Sequence, residues 1–188
     1  MRSLLIPALA VFFATAGLST PAFAKAWGVD PERSSISFSG THAGNNFEGV
    51  FEDWTANIEF DPAAPESAVV LVTIDTASAK TGNALYDGTL GGADWFNVQT
   101  YPQARFEATG AEPQGDGTYK LAGTLTVRGT SVPVSVMFSA NDSEAKADST
   151  VVLQRLDFGM GAESDPSGTW VSLEIPVTVE LVAKPSGI

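Results

Sequence analysis

The segment Ser34–Asp61, SSISFSGTHAGNNFEGVFEDWTANIEFD, alternates in polarity every second residue, and this period constrains the fold more than any other feature of the chain. Ile36, Phe38, Gly40 and His42 fall on one face, with Ser35, Ser37, Ser39 and Thr41 on the other, the pattern of a half-buried strand. Gly44-Asn45-Asn46 tolerates positive φ, so the chain is expected to reverse there and return as a single arm, Phe47–Phe60. In that arm Trp54, Ala56, Ile58 and Phe60 share a face, opposite Thr55, Asn57 and Glu59. The expectation is a long β-hairpin with one aromatic-rich side, and the chain's single histidine points with the apolar residues.

The same period governs most of the chain beyond this segment. Ala68–Ser78 reads as a third strand with Val70, Val72 and Ile74 on one face, after a loop, Asp61–Pro65, whose two prolines cannot donate to a ladder. Lys80–Gln99 breaks the alternation: Ala84, Leu85 and Leu90 are loosely helix-spaced and Gly88, Gly91 and Gly92 interrupt them, so short helices or turns are expected. Alternation returns with Phe106 and Ala108, then Tyr119, Leu121, Leu125 and Val127, then Val132, Val134, Val136 and Phe138, with turns at Gln114–Gly117 and Gly129–Ser131. A polar turn at Asn141–Glu144 precedes Ser149, Val151 and Leu153, and the last strand places Val171, Leu173, Ile175, Val177, Val179 and Leu181 on one face. Pro176 interrupts that strand's donors, which predicts a bulge or a locally unpaired stretch. The total is about eight antiparallel strands, a closed barrel or a sandwich. Small inward residues such as Gly40, Gly49, Ala56, Ala108 and Gly123 are expected to leave a tunnel along the axis of a barrel.

Residues 1–24 read as an address. Arg2 precedes the apolar run Leu4–Leu18, and Ala22-Phe23-Ala24 is an A-x-A cleavage site, so a signal peptide spans 1–24 and one domain spans 25–188. The run is short for a bilayer span, and no cysteine follows the site to carry a lipid anchor. The mature chain has nine Lys and Arg against 22 Asp and Glu, a formal charge of −13, which disfavours nucleic acid as a partner. With no cysteine, an exported domain must hold itself together by burial and sheet hydrogen bonds.

The order WGVDPERSSISFSGTHAG, GVFEDWTANIEFDP, SAKTGNALYD, DWFNVQTYPQARF, LTVRGTSVPV and RLDFGMG resembles the YceI-like proteins, a family of bacterial lipid-binding barrels. Tyr86 departs from that pattern, which often has a basic residue before the aspartate. The resemblance implies an all-β, about eight-stranded antiparallel lipocalin-like barrel with short helices near one end, the Lys80–Gln99 segment crossing it and Asp94-Trp95-Phe96 pressing aromatic surface on the opening. It further implies a periplasmic carrier for a long apolar lipid, a polyisoprenoid or isoprenoid quinone, held in the interior with no resident cofactor. After cleavage such a protein is not integral to the membrane, and a homodimer is admitted.

One histidine and no cysteine leave a metal site without its usual ligands, and no G-x-S-x-G elbow accompanies a serine nucleophile. No catalytic or metal residue is therefore assigned. His42 is read as a hydrogen-bonding group at the barrel mouth that donates to a lipid head. The expected ligand-binding set is Phe38, His42, Phe51, Trp54, Ile58, Ile74, Leu85, Trp95, Phe96, Phe106, Leu125, Val136 and Leu173. Two alternatives stand beside the carrier: an enzyme acting on such a lipid, which would need a titratable pair near His42, and a β-sandwich interaction module with a filled core.

Overall fold

The computed structural model describes residues 25–186, so the leader expected at 1–24 lies outside the described residues. In chain order the strands are β1 (Lys25–Val29), β2 (Ser35–His42), β3 (Asn45–Phe51), β4 (Trp54–Phe60), β5 (Val69–Asp75), β6 (Ala79–Lys80), β7 (Gln103–Thr109), β8 (Glu112–Gly115), β9 (Thr118–Val127), β10 (Thr130–Ala140), β11 (Ala145–Gln154) and β12 (Glu174–Pro185). Among the described residues there is one α-helix, α1 (Ala84–Leu90), between β6 and β7.

These segments make eight staves. The hydrogen-bonded order β1-β4-β5-β7-β9-β10-β11-β12 closes where β12 pairs back onto β1. β12 also pairs with β2, so β1 and β2 are two halves of one stave, parted by a 3-10 turn at Pro31–Arg33. β3 and β4 form another, bent at Glu52-Asp53, with β3 against β2 and β4 against β1. The expected hairpin therefore exists in two offset halves: its second arm is broken, and Trp54–Phe60 faces β1, upstream of Ser34. Closure of the sheet removes the sandwich alternative, since a sandwich needs two sheets with free edges.

Three two-residue turns have positive φ at both positions: Ala43-Gly44, Asp116-Gly117 and Arg128-Gly129. This is the type I′ geometry that matches strand twist. Two expected turns are thereby shifted. Asn45 and Asn46 already belong to β3, and Thr130 and Ser131 pair with Val127 and Thr126 in β10.

Pro176 forms no bulge. The β11–β12 register runs unbroken from Ala145↔Ala183 to Gln154↔Glu174, with Pro176 opposite Val152. The ladder to β2 starts only at Val177↔Phe38, so the proline sits where pairing on that side ends.

The expected inward faces hold, with Ala104, Phe106 and Ala108 buried along β7 and Tyr119, Leu121 and Val127 along β9. The small residues, however, do not leave a tunnel. A Cβ at Gly123 would lie 2.6 Å from the Phe106 ring and from the Glu107 carbonyl oxygen, and one at Gly49 would collide with the Phe38 ring. Each glycine is a seat for an aromatic ring.

Candidate functional site

The lower end of the barrel is an aromatic floor. Trp27 and Phe60 are 4% and 2% exposed, and the Trp27 indole N–H donates to the Phe60 carbonyl at 2.8 Å. Phe60 packs edge-on to Tyr119 and Phe138, whose rings stack on each other at 5.2 Å. Above this floor lies an apolar cavity of about 150 Å3, lined among others by Ile36, Ile58, Ile74, Phe106, Leu125, Val136, Val177 and Leu181. Lys146 is the one charged residue on its border.

A second cavity, about 210 Å3, occupies the upper end and is lined by His42, Phe47, Thr81, Leu85, Tyr86, Thr89, Leu90, Trp95 and Val171. The two share no lining residue, and they lie in line. On one face of β2, Ile36 lines the lower cavity and His42 the upper; Val177 of β12 lines the lower and Val171, just before that strand, the upper. Between them stands a layer in which Phe38, Phe51, Phe96 and Phe158 pack with Ile175. Phe38 and Phe51 are 5.2 Å apart between centroids, and Phe51 and Phe96 5.8 Å.

Local sequence explains how α1 positions the upper site. Asn83 caps the helix, its Oδ1 accepting from the Leu85 amide at 3.0 Å. Asp87 turns back to accept from both the amide and the hydroxyl of Thr81, each at 2.7 Å. The Thr81 amide, then its hydroxyl, hold the Asp87 carboxyl below its ordinary range against the opposing effect of burial. Tyr86 and Leu90, one helical turn apart, consequently face the cavity, and the Tyr86 hydroxyl lies 3.0 Å from His42 Nδ1. When the phenol donates, the neutral ring carries its proton on Nε2 and presents a donor.

The loop closing this end is fastened by Arg155 and Asp165. Arg155 is 2% exposed and its Nη2 lies 2.9 Å from Asp165 Oδ2. Its remaining N–H groups donate to the carbonyls of Met160, Ser172, Val171 and Asp165, and its guanidinium sits 5.5 Å from the Trp95 ring centroid. Asp94, beside Trp95, accepts from the Glu163 and Ser164 amides and the Ser164 hydroxyl.

Of the expected site residues, Ile58, Ile74, Phe106, Leu125 and Val136 line the lower cavity, and His42, Leu85 and Trp95 the upper. Phe38, Phe51, Trp54, Phe96 and Leu173 line neither. The first four belong to the packed layer between, because rings of that size fill the axis where the two cavities would otherwise join. Leu173 instead packs against Gly168 of the closing loop. The lining residues missed include Tyr86, Phe47, Leu90 and Val171 above and Trp27, Ile36, Phe60 and Phe138 below. Tyr86 was visible only as a departure from a pattern, although its i, i+4 spacing from Leu90 marks a helix face.

A closed eight-stranded antiparallel barrel with an apolar cavity inside and a mixed aromatic cavity at one mouth is a ligand-binding architecture. The chain belongs to the YceI-like domain family, whose model matches residues 27–183. A UPF0312 protein of Pseudomonas syringae pv. tomato is 30% identical over 162 residues, covering 81% of this chain and 83% of that protein. Among solved structures, Burkholderia cenocepacia BcnA matches with a TM-score of 0.77 and 30% identity, over 84% of this chain and 100% of that one. A polyisoprenoid binding domain from Saccharophagus degradans matches with a TM-score of 0.66 over 86% and 99%; at 14% identity it speaks for the fold alone.

Proposed function

We propose that this protein binds a long-chain lipid of the polyisoprenoid or isoprenoid quinone class and carries it through the periplasm, without catalysing its conversion and without a resident cofactor. The observation that carries the reading is the apolar cavity in a closed barrel, floored by Trp27 and Phe60 and lined almost wholly by hydrocarbon. Burial of tail surface there is worth about 25 cal/mol per Å2. Family membership supports a lipid ligand, and the fold is the one that the polyisoprenoid binding neighbour shares. Among the described residues no helix is long and apolar enough to cross a membrane.

The upper cavity favours a neutral head. Among the described residues no Lys or Arg lines it, Arg155 is consumed by Asp165, and the Asp87 carboxyl, held below its ordinary range, is bonded to the lining Thr81. A phosphate there would be desolvated without a counter-charge. A hydroxyl or quinone carbonyl instead meets the one donor that the His42–Tyr86 pair leaves free, the His42 Nε2–H when the phenol donates to Nδ1.

Extraction of the exported, natively purified protein with organic solvent, followed by mass spectrometry, tests this. The expected product is a prenyl lipid without phosphate. Recovery of a phosphorylated prenyl lipid would overturn the neutral head, and a lipid-free protein that binds no added prenyl lipid would overturn the carrier. Native mass spectrometry of the same sample reports whether one chain or a homodimer holds the lipid.

A further inference from the structure

Neither cavity alone has the volume of a lipid site. At about 150 and 210 Å3 each falls below the roughly 300 Å3 at which small-molecule sites begin, whereas the two joined exceed it. What separates them is a layer of side chains, to which β2 contributes Phe38, in contact with Phe47 and Phe51.

Along the inward face of β2, Phe38 lies between Ile36 of the lower cavity and His42 of the upper. Opposite it on β12 is Val177, which lines the lower cavity, and its ring meets Phe47, which lines the upper, at 6.4 Å. The ring rests in the space that Gly49 leaves by having no side chain, and Phe51 packs against it. From Ile36 to His42 is six residues, about 20 Å of strand at roughly 3.3 Å each. A short chain fits on one side of the layer and a long one has to cross it.

We propose that Phe38 sets the chain-length preference of the barrel: its ring holds the cavities apart, and only a ligand long enough to occupy both must displace it. This rests on the lipid-binding reading above. The displacement of a packed ring weighs against long chains alone, so removing the ring raises affinity for long chains relative to short ones.

The test compares delipidated wild type with Phe38→Ala and Phe38→Leu, titrated with farnesol, geranylgeraniol and solanesol in competition with a fluorescent prenyl probe. The expected result is that Phe38→Ala raises the ratio of solanesol to farnesol affinity by about tenfold or more, with Phe38→Leu in between. Phe38→Leu keeps most of the apolar bulk and serves where the alanine variant does not fold. If folded variants retain the wild-type ratio, Phe38 is not the determinant and the proposal falls while the carrier stands. If wild type binds none of the three alcohols, the lipid-binding reading fails and the proposal with it.

Discussion

Arg155 and Asp165 form an ion pair of 2.9 Å that is almost wholly withdrawn from water, and each partner also binds backbone of the loop between them. Asp165 accepts from the amides of Thr169, Trp170 and Val171, while Arg155 donates to the Met160, Val171 and Ser172 carbonyls. Val171 bridges to His42, so this pair holds one wall of the upper cavity. Replacing Arg155 by Met orphans several carbonyls and a carboxylate, which is expected to destabilise by about 3–5 kcal/mol. For a domain of this size the melting temperature should drop by on the order of 10 °C. An unchanged melting curve by circular dichroism would show that the loop is held by other contacts.

The same carboxylate should give the fold an acid limb. The Val171 amide, with Trp170, Thr169 and the Arg155 charge, holds the Asp165 pKa below its ordinary 3.8 despite burial. A folded-state pKa below the unfolded one means that the stabilisation is present above the ordinary value and lost as pH falls through the folded one. Asp94 acts in the same direction: burial raises its pKa, but the Ser164 hydroxyl and the Glu163 and Ser164 amides outweigh it. Asp165→Asn is expected to lower the melting temperature at pH 7 and to narrow the gap from wild type below about pH 4. Parallel curves from pH 7 to pH 3 would remove Asp165 from the acid transition.

Two glycines should respond oppositely to alanine. Gly88 lies in α1 at ordinary negative φ with nothing within 4 Å of an added methyl, so Gly88→Ala is expected to stabilise by about 0.4–1 kcal/mol. At Gly123 the methyl meets the Glu107 carbonyl oxygen and the Phe106 ring, both at 2.6 Å, and overpacking of this kind costs about 1–3 kcal/mol. Urea denaturation of the two variants measures both shifts, and the same sign for each would contradict the seating of Phe106 on Gly123.

Much of the barrel was legible because alternation reports the inward face directly: Trp54, Ile58, Phe106 and Val136 all point as their period requires. Arg155 continues the phase of Val151 and Leu153, so the same period carries it inward. Its partner was not legible, because the loop around Asp165 has no period. Periodicity likewise says that Gly49 and Gly123 face inward but not what fills the space, and an aromatic ring fills it at both, the directly opposite Phe38 at Gly49 and the diagonal Phe106 at Gly123. The break at Glu52-Asp53 and the division into two cavities depend on contacts between distant strands, which local pattern does not encode.

The helix that crosses the upper end should be the mobile cover of the site. None of its residues is buried, and Leu85 is 74% exposed while lining the cavity. Its polar attachments are few: the Asn83 cap, the Thr81–Asp87 strap, the Tyr86–His42 bond and the Phe96 amide on the Leu90 carbonyl. Amides of residues 82–92 are expected to exchange faster than those of β9 and β10, and to slow when a prenyl lipid is bound. Equal protection with and without lipid would put the entrance elsewhere on the barrel.

The pair His42 and Tyr86 separates a carrier from an enzyme. If it binds only the head of a neutral lipid, His42→Ala and Tyr86→Phe each remove hydrogen bonds worth about 0.5–1.5 kcal/mol, so affinity should fall by no more than about tenfold. The double variant should lose little more than either single one, because the two side chains form one bonded unit with a 3.0 Å link. A general acid or base would behave differently, its loss slowing turnover by about 100- to 10,000-fold while leaving binding nearly intact. Affinity for a prenyl alcohol and for an isoprenoid quinone, measured beside conversion of each by wild type, reads both. Wild-type conversion that disappears in His42→Ala with binding preserved would make the upper cavity an active site, whereas a modest loss of affinity with no conversion at any stage is the result expected of a carrier.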